Sequence, residues 1–318
     1  MRLLVGAYAA SPALSPWNPD EEAEWYGLLA GMPGFGGLEL PYAETLHPDP
    51  AWLRRHLDPG WDLVVTAIPG TMVRLARDAT FGLASPDPAG RTAALAFTER
   101  LREDVLRIND WMGRPAVRAV EVHSAPTGTA DPAAFTDSLV ALARRDWGGA
   151  ALTVEHCDAH DPSLPPQKGF LPLDAEIAAV LAARTAGSTP VGITVNWARS
   201  AIEGRGAARA HEHIAVARQA EVLHGLMFSG CSDRPTAFGA PWVDAHLPAA
   251  TGQGIATDGS LLTPEEIGRS LAAAGDAQAF TGVKIGVRPL DLPLSDRAAL
   301  VVGTLTAVAQ AASALSRA

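Results

Sequence analysis

Eight apolar runs of strand length alternate with segments of helical period from one end of the chain to the other, and this predicts an α/β protein built as a single (β/α)8 barrel. Two further observations support that class. The 318 residues allow about 40 for each strand-plus-helix unit, the length of a crossover that joins parallel strands. No glycine-rich dinucleotide fingerprint follows the first strand, which disfavours the doubly wound open sheet. Length alone would suggest two domains at about 150 residues each. A barrel needs only one, and with no linker or low-complexity tract in the chain the expected domain is 1–318.

In chain order the expected strands are Leu3–Ala9, Gly37–Pro41, Leu63–Ile68, Val117–His123, Ala151–His156, Val191–Asn196, Val222–Phe228 and Val283–Val287. Between them Leu101, Val105, Ile108 and Met112 recur at spacings of four, three and four, and Phe135, Leu139 and Leu142 at four and three, the stripe of a helix that buries one side. Asp131-Pro132 reads as an N-cap followed by proline at the first helical position. Thr263-Pro264-Glu265-Glu266 carries the capping-box glutamate three residues after its threonine. The charge-free segment Ala298–Leu315 is interrupted by Gly303, Thr304, Thr306, Gln310 and Ser313, so it reads as the closing helix of a barrel rather than a membrane span.

Composition narrows the partners. With 25 basic and 35 acidic side chains the formal charge is −10, and no basic stripe is present for a polyanion, which argues against nucleic acid. Two cysteines, Cys157 and Cys231, cannot form a disulfide framework. With no signal-peptide pattern at the N-terminus, a cytoplasmic protein without a membrane role is expected. Its partner would be a small molecule, and a homodimer is compatible with the sequence. Of the basic residues only Lys168 and Lys284 are lysine. An amine that persists in so arginine-rich a chain can lose its proton or form an imine, as a guanidinium cannot.

In such a barrel the reactive groups belong at the carboxyl ends of the strands and in the loops that follow. Tyr8, Glu39, Thr66, Glu121, His123, Glu155, His156, Asp158, Asn196, Ser229, Lys284 and Arg288 occupy those positions. Strand period places Glu121 and His123 on one face, and likewise Lys284, Gly286 and Arg288. Adjacent Glu155 and His156 point to opposite faces, so Glu155 is expected in the pocket and His156 behind it. A charge inside a barrel is costly unless paired, so Lys284 is expected to face Glu155. Trp17, Trp197 and Trp242 fall on the mouth side, where an aromatic face suits the C–H face of a sugar. Trp61, Trp111 and Trp147 map to the other end.

The loop after the seventh strand carries Ser232-Asp233-Arg234, Asp244-Ala245-His246 and Gly252-Gln253-Gly254-Ile255. Asp-x-His can place two ligands on one divalent ion. His211-Glu212-His213 is no zincin pair, because residues two apart on a helix lie on different faces. A phosphate-binding P-loop and a Gly-x-Ser-x-Gly elbow are both absent.

Gly37-Leu38-Glu39-Leu40-Pro41, Thr153-Val154-Glu155-His156, and Asp244-Ala245-His246 with its glycine-rich sequel resemble strand ends and the seventh loop of the xylose isomerase-like barrel superfamily. That superfamily includes sugar isomerases and epimerases and endonuclease IV-type enzymes. The resemblance implies that Glu155 is a metal-binding glutamate. Three departures mark a divergent branch: Asn196 stands where relatives often carry aspartate, Phe228-Ser229 where they carry histidine, and Lys284 where they carry a metal-bridging glutamate. An ammonium can supply the charge a metal would have supplied to an enolate, so no cofactor is required by this reading. Were a divalent metal bound, its ligands would be Glu155, Asp244 and His246.

The function implied is an isomerase or epimerase acting on a small polyhydroxylated carbohydrate or sugar acid, by proton transfer next to a carbonyl. Glu155 or Glu39 would move the proton, while Lys284 and His123 would polarise the oxygen. Asn196, Trp197, Arg199, Arg288, Lys168, Asp158, Trp17, Trp242 and Asp233 would hold the substrate. A lyase or aldolase using Lys284 as an imine-forming amine is the second reading, and a non-catalytic carbohydrate-binding barrel the third. Lys284→Arg is expected to keep the fold and lose activity.

Overall fold

A computed structural model describes residues 2–12, 16–251 and 259–317. Its strands are β1 (Leu3–Val5), β2 (Phe35–Pro41), β3 (Asp62–Thr66), β4 (Val117–Val122), β5 (Ala151–His156), β6 (Val191–Asn196), β7 (Leu223–Phe228) and β8 (Phe280–Val283). They follow one another in chain order as a closed barrel, the (β/α)8 fold. The helices are α1 (Pro19–Ala30), α2 (Pro50–His56), α3 (Ile68–Leu75), α4 (Pro88–Met112), α5 (Pro132–Ala143), α6 (Leu173–Ala186), α7 (Trp197–Glu203), α8 (Ala208–Gln219), α9 (Pro264–Ala274) and α10 (Leu294–Leu315).

The chain divides into two compact units, each assembled from separate stretches. The first holds Met1–Glu39, Asn196–Val216 and Leu226–Ala318. In it β1 pairs in parallel with both β2 and β8, and the Lys284 amide donates to Phe228 O at the end of β7. Thr263 caps α9 by accepting from the Glu266 amide, as its sequence predicts. The last helix, α10, is long and apolar enough to cross a membrane by length and composition. Here it packs against α1, α9 and β8, burying Val301, Thr304, Leu305, Ala307 and Val308.

The second unit holds Leu40–Val195 and Ala217–Gly225. There β3, β4, β5 and β6 form a continuous parallel ladder. Leu101, Val105, Ile108 and Met112 make the buried stripe of α4, and Phe135, Leu139 and Leu142 that of α5. Asp131 caps α5 through the Ala134 amide, with Pro132 at its first position. In this unit α4 packs against β4 and α6 against β5, each burying its apolar face.

β5 and β6 have their expected bounds, β2, β3, β4 and β7 shift by one or two residues at one or both ends, and β1 and β8 differ most. β1 ends at Val5, and Ala7–Ala9 form a 3-10 turn that carries Tyr8. β8 spans Phe280–Val283 rather than 283–287, so Lys284 is the first residue after it. Ile285 and Val287 are buried like strand residues, but the segment hydrogen-bonds as a loop, with the Gly286 amide donating to His246 O. Lys284, Gly286 and Arg288 therefore do not share a strand face.

Candidate active site

In the second unit, chemistry gathers where β3, β4 and β5 end. His123 Nε2 lies 2.9 Å from Glu155 Oε2, and both side chains are fully buried. Thr66 Oγ1 donates to the same oxygen at 3.3 Å. Glu121, also buried, offers a carboxylate oxygen within 4.8 Å of one from Glu155. Two carboxylates this close in a dry site repel unless a proton, an imidazolium or a metal cation shares the space. Hard oxygen donors of this kind fit a divalent cation such as magnesium or manganese.

His156, the next residue along, turns to the helix layer, and its Nδ1 lies 2.7 Å from Glu176 Oε2 on α6. The opposite orientation of Glu155 and His156 follows from strand period. Asp158 accepts hydrogen bonds from the amides of Gln167, Lys168 and Gly169. That clasp closes the loop between β5 and α6 and places half-buried Lys168 on it.

In the first unit, Lys284 and Glu39 form a wholly buried ion pair, Nζ to Oε1 at 2.5 Å. The sequence points to Glu155 for Lys284, and Glu39 is a partner it did not suggest. The reason is local. Gly6 follows β1, the strand between β8 and β2, and a Cβ there would sit 2.4 Å from Glu39 Oε2 and 3.0 Å from Lys284 Cγ. With no side chain at Gly6, the lysine and the glutamate reach each other across it. The Lys284 ammonium also lies 5.6 Å from the centroid of the Tyr8 ring, within range of cation–π attraction.

The remaining residues of this unit hold loops and strand ends together. Ser229 Oγ donates to Asn196 Oδ1 at 2.9 Å, which orients the amide. Arg199 on α7 pairs with Asp244 at 3.2 Å, both side chains buried, and His246 Nδ1 is 3.3 Å from the other Asp244 oxygen. Trp242 and His246 hold positive φ angles of 64° and 56°, strain of about 1–3 kcal/mol each that a loop keeps when its surroundings fix it. The Arg205 guanidinium lies over the Trp242 ring at 5.5 Å. Burial, then Asp244 and Asp233, push the Cys231 thiol up to about 12.

Trp197 is buried, and its indole N–H has no hydrogen-bond partner among the described residues, a donor that a bound oxygen would satisfy. Trp17 instead donates to Glu22 of α1. Asp233 is exposed. Arg288, half-buried, donates to Val287 O and lies 5.7 Å from the Phe238 ring. Gly252-Gln253-Gly254-Ile255 lies outside the described residues. For the expected metal ligands Asp244 and His246, among the described residues no trio close enough to share an ion includes either. Arg199 occupies one face of Asp244 instead.

Sequence reasoning passed over Glu176. It sits on the buried stripe of α6 with Ile177, Ala179, Val180 and Ala183. A glutamate among those apolar positions was the available signal.

The family model described as a domain of unknown function (DUF4862) matches residues 4–300. Uncharacterized protein STM3670 of Salmonella typhimurium is 37% identical over 289 residues, 89% of this chain and 88% of that one. Among solved structures the chain resembles a candidate xylose isomerase of Rhodospirillum rubrum, with TM-score 0.61, 15% identity and 98% and 99% of the two chains covered. It also resembles a D-allulose 3-epimerase of Methylomonas sp., with TM-score 0.55, 14% identity and 98% of each chain covered. A fusion of a xylose isomerase-like barrel with a 4-hydroxyphenylpyruvate dioxygenase matches with TM-score 0.59 and 14% identity, this chain spanning 44% of its length. The likeness establishes a xylose isomerase-like barrel fold. By sequence, the chain belongs to the DUF4862 family.

Proposed function

We propose that the protein is a cytoplasmic isomerase or epimerase that moves a proton next to the carbonyl of a small polyhydroxylated carbohydrate or sugar acid. The observation that carries this reading is the buried His123–Glu155 pair with Glu121 beside it. Glu155 takes a proton from the carbon adjacent to the carbonyl; the C–H pair becomes a carbon–carbon double bond and the carbonyl π pair moves onto oxygen, giving an enediolate. The bonds from His123 and Thr66 hold the Glu155 carboxylate in place for that transfer. Glu121 is the second acid–base group, returning a proton to the neighbouring carbon or to the same carbon from the other side. In the first unit, the buried Lys284–Glu39 pair offers a cation of the kind that stabilises an oxyanion. Trp197, Asn196, Arg199 and Arg288 of the first unit, and Lys168 of the second, are the candidate substrate-binding residues. All these groups belong to the carboxyl ends of their strands or the segments that follow, where this fold keeps its chemistry. A divalent cation bound to Glu121 and Glu155 would supply Lewis-acid polarisation of the substrate oxygens.

The neighbour named as a D-allulose 3-epimerase makes ketohexoses the first compounds to try. In the experiment, D-allulose, other ketoses, aldoses and sugar acids are incubated with the enzyme and products followed by NMR. A new epimer or aldose–ketose pair is expected, lost by about 100-fold or more in Glu155→Gln. Turnover unchanged in that variant would contradict the assignment. The buried Lys284 amine beside a carboxylate also suits imine chemistry, so borohydride is added with each compound. A trapped covalent adduct at Lys284 would move the reading to a lyase.

A further inference from the structure

Three buried residues of the second unit take no part in the chemistry above. Ser124 Oγ donates to Glu176 Oε1 at 2.5 Å, Glu176 Oε2 accepts from His156 Nδ1 at 2.7 Å, and Ser124 Oγ accepts from the Leu171 amide at 3.2 Å. All three side chains are inaccessible to solvent. Their places in the chain give them meaning. Ser124 follows His123, and His156 follows Glu155. Because consecutive residues of extended chain face opposite ways, the two strand ends are bonded twice. His123 meets Glu155 on one face, while Ser124 and His156 meet Glu176 on the other.

We propose that Glu176 is a positioning residue that sets the alignment of His123 with Glu155 by clamping the residues next to them. The inference rests on the proposed role of that pair. Any slide or twist of one strand end relative to the other that lengthened the His123–Glu155 bond would also stretch the bonds to Glu176. Glu176 is itself held firmly: it lies in the first turn of α6, where the helix dipole favours a carboxylate. The Leu171 amide ties Ser124 to the chain that leads into that helix. Accepting from Nδ1 also selects the tautomer of His156, since a carboxylate can only accept.

Two readouts separate this role from simple support of α6. The first, independent of any substrate, is the imidazole NMR spectrum of the ligand-free protein at one fixed pH. Glu176→Gln preserves shape and still accepts from Ser124, but its amide donates where the carboxylate accepted. The expected result is a switch of His156 to the other tautomer together with changed 1H and 15N shifts of His123. The second is proton transfer on whichever sugar proves to be the substrate, where kcat is expected to fall about tenfold with KM within about twofold, as for groups that orient a reacting residue. Glu176→Asp should recover part of the loss. Ser124→Ala, which removes one arm of the clamp, should move both readouts in the same direction, and serves if Glu176→Gln fails to fold. A folded Glu176→Gln or Ser124→Ala protein with unaltered His123 shifts would overturn the proposal. Absence of turnover on every sugar would instead refute the functional reading and leave the spectroscopic result standing.

Discussion

Truncating the Lys284–Glu39 pair should show how the two charges are tolerated. At 2.5 Å and fully buried, the pair has a gross attraction of about 7 kcal/mol at an effective dielectric constant of about 20. Removing two ions from water costs several kcal/mol for each, so the net contribution is near zero. Breaking the pair is another matter. Lys284→Met leaves the Glu39 carboxylate in a dry site without its ammonium, and Glu39→Leu does the reverse. Each should destabilise the fold by about 3–5 kcal/mol. The double variant replaces both ions with apolar groups, and should fall within about 1 kcal/mol of the parent or exceed it. Urea unfolding of the four proteins closes the double-mutant cycle, with a coupling of at least about 2 kcal/mol expected. Additive single effects, or a Lys284→Met protein as stable as the parent, would refute the reasoning. The sequence alone expects Lys284→Arg to keep the fold. Burial changes that expectation, since the larger guanidinium enters a filled site and should cost about 1–3 kcal/mol.

Other consequences are open to measurement. Gly6→Ala places a Cβ 2.4 Å from Glu39 Oε2, and because the other oxygen of that carboxylate is held by Lys284 the variant should lose about 1–3 kcal/mol in urea unfolding; no loss would mean the pair does not pass over Gly6 so closely. Cys157 and Cys231 are both buried, and the Cys231 thiol is pushed up to about 12; with few thiolates and no access, neither should react with a disulfide reagent at pH 8 until the protein unfolds, and rapid labelling of the native protein would contradict this. Burial, then Arg184 and Arg118, hold the His224 imidazole below its usual range. The unfolded chain therefore binds the proton more readily, so this residue's contribution is full above about pH 6.5 and is lost progressively as pH falls from there toward the lowered folded value. His224→Gln should show a smaller drop in Tm between pH 7.5 and pH 5.5 than the parent, and an equal drop would contradict the assignment.

The barrel was legible because its signals are local. Proline after Asp131, the Thr263 cap and the stripes of α4 and α5 each report on a few adjacent residues, and each formed as expected, although the Thr263 amide donates to Leu261 O rather than to the Glu266 side chain of a full capping box. The error at β8 came from the same kind of evidence. Val283, Ile285 and Val287 alternate as a strand would, yet beyond Val283 their burial comes from the loop that brings His246 O to Gly286. Periodicity reports which side chains are buried, not which backbone groups form the ladder. Site residues at strand ends were also accessible to pattern reasoning, since the fold dictates where to look. Their partners were not. Finding Glu39 beside Lys284 requires knowing that β1 lies between β8 and β2 and is followed by a glycine. Glu176 is a carboxylate met only when α6 packs onto β5, and no spacing in the chain relates it to His156.

The central claim is that Glu155, held by His123, moves a proton next to a carbonyl. It is tested most directly by NMR of the substrate turned over in deuterium oxide. The account predicts deuterium at the carbon beside the carbonyl in the product, introduced by the parent enzyme and nearly abolished in Glu155→Gln. Turnover without deuterium uptake from solvent, at the same rate in both proteins, would contradict it.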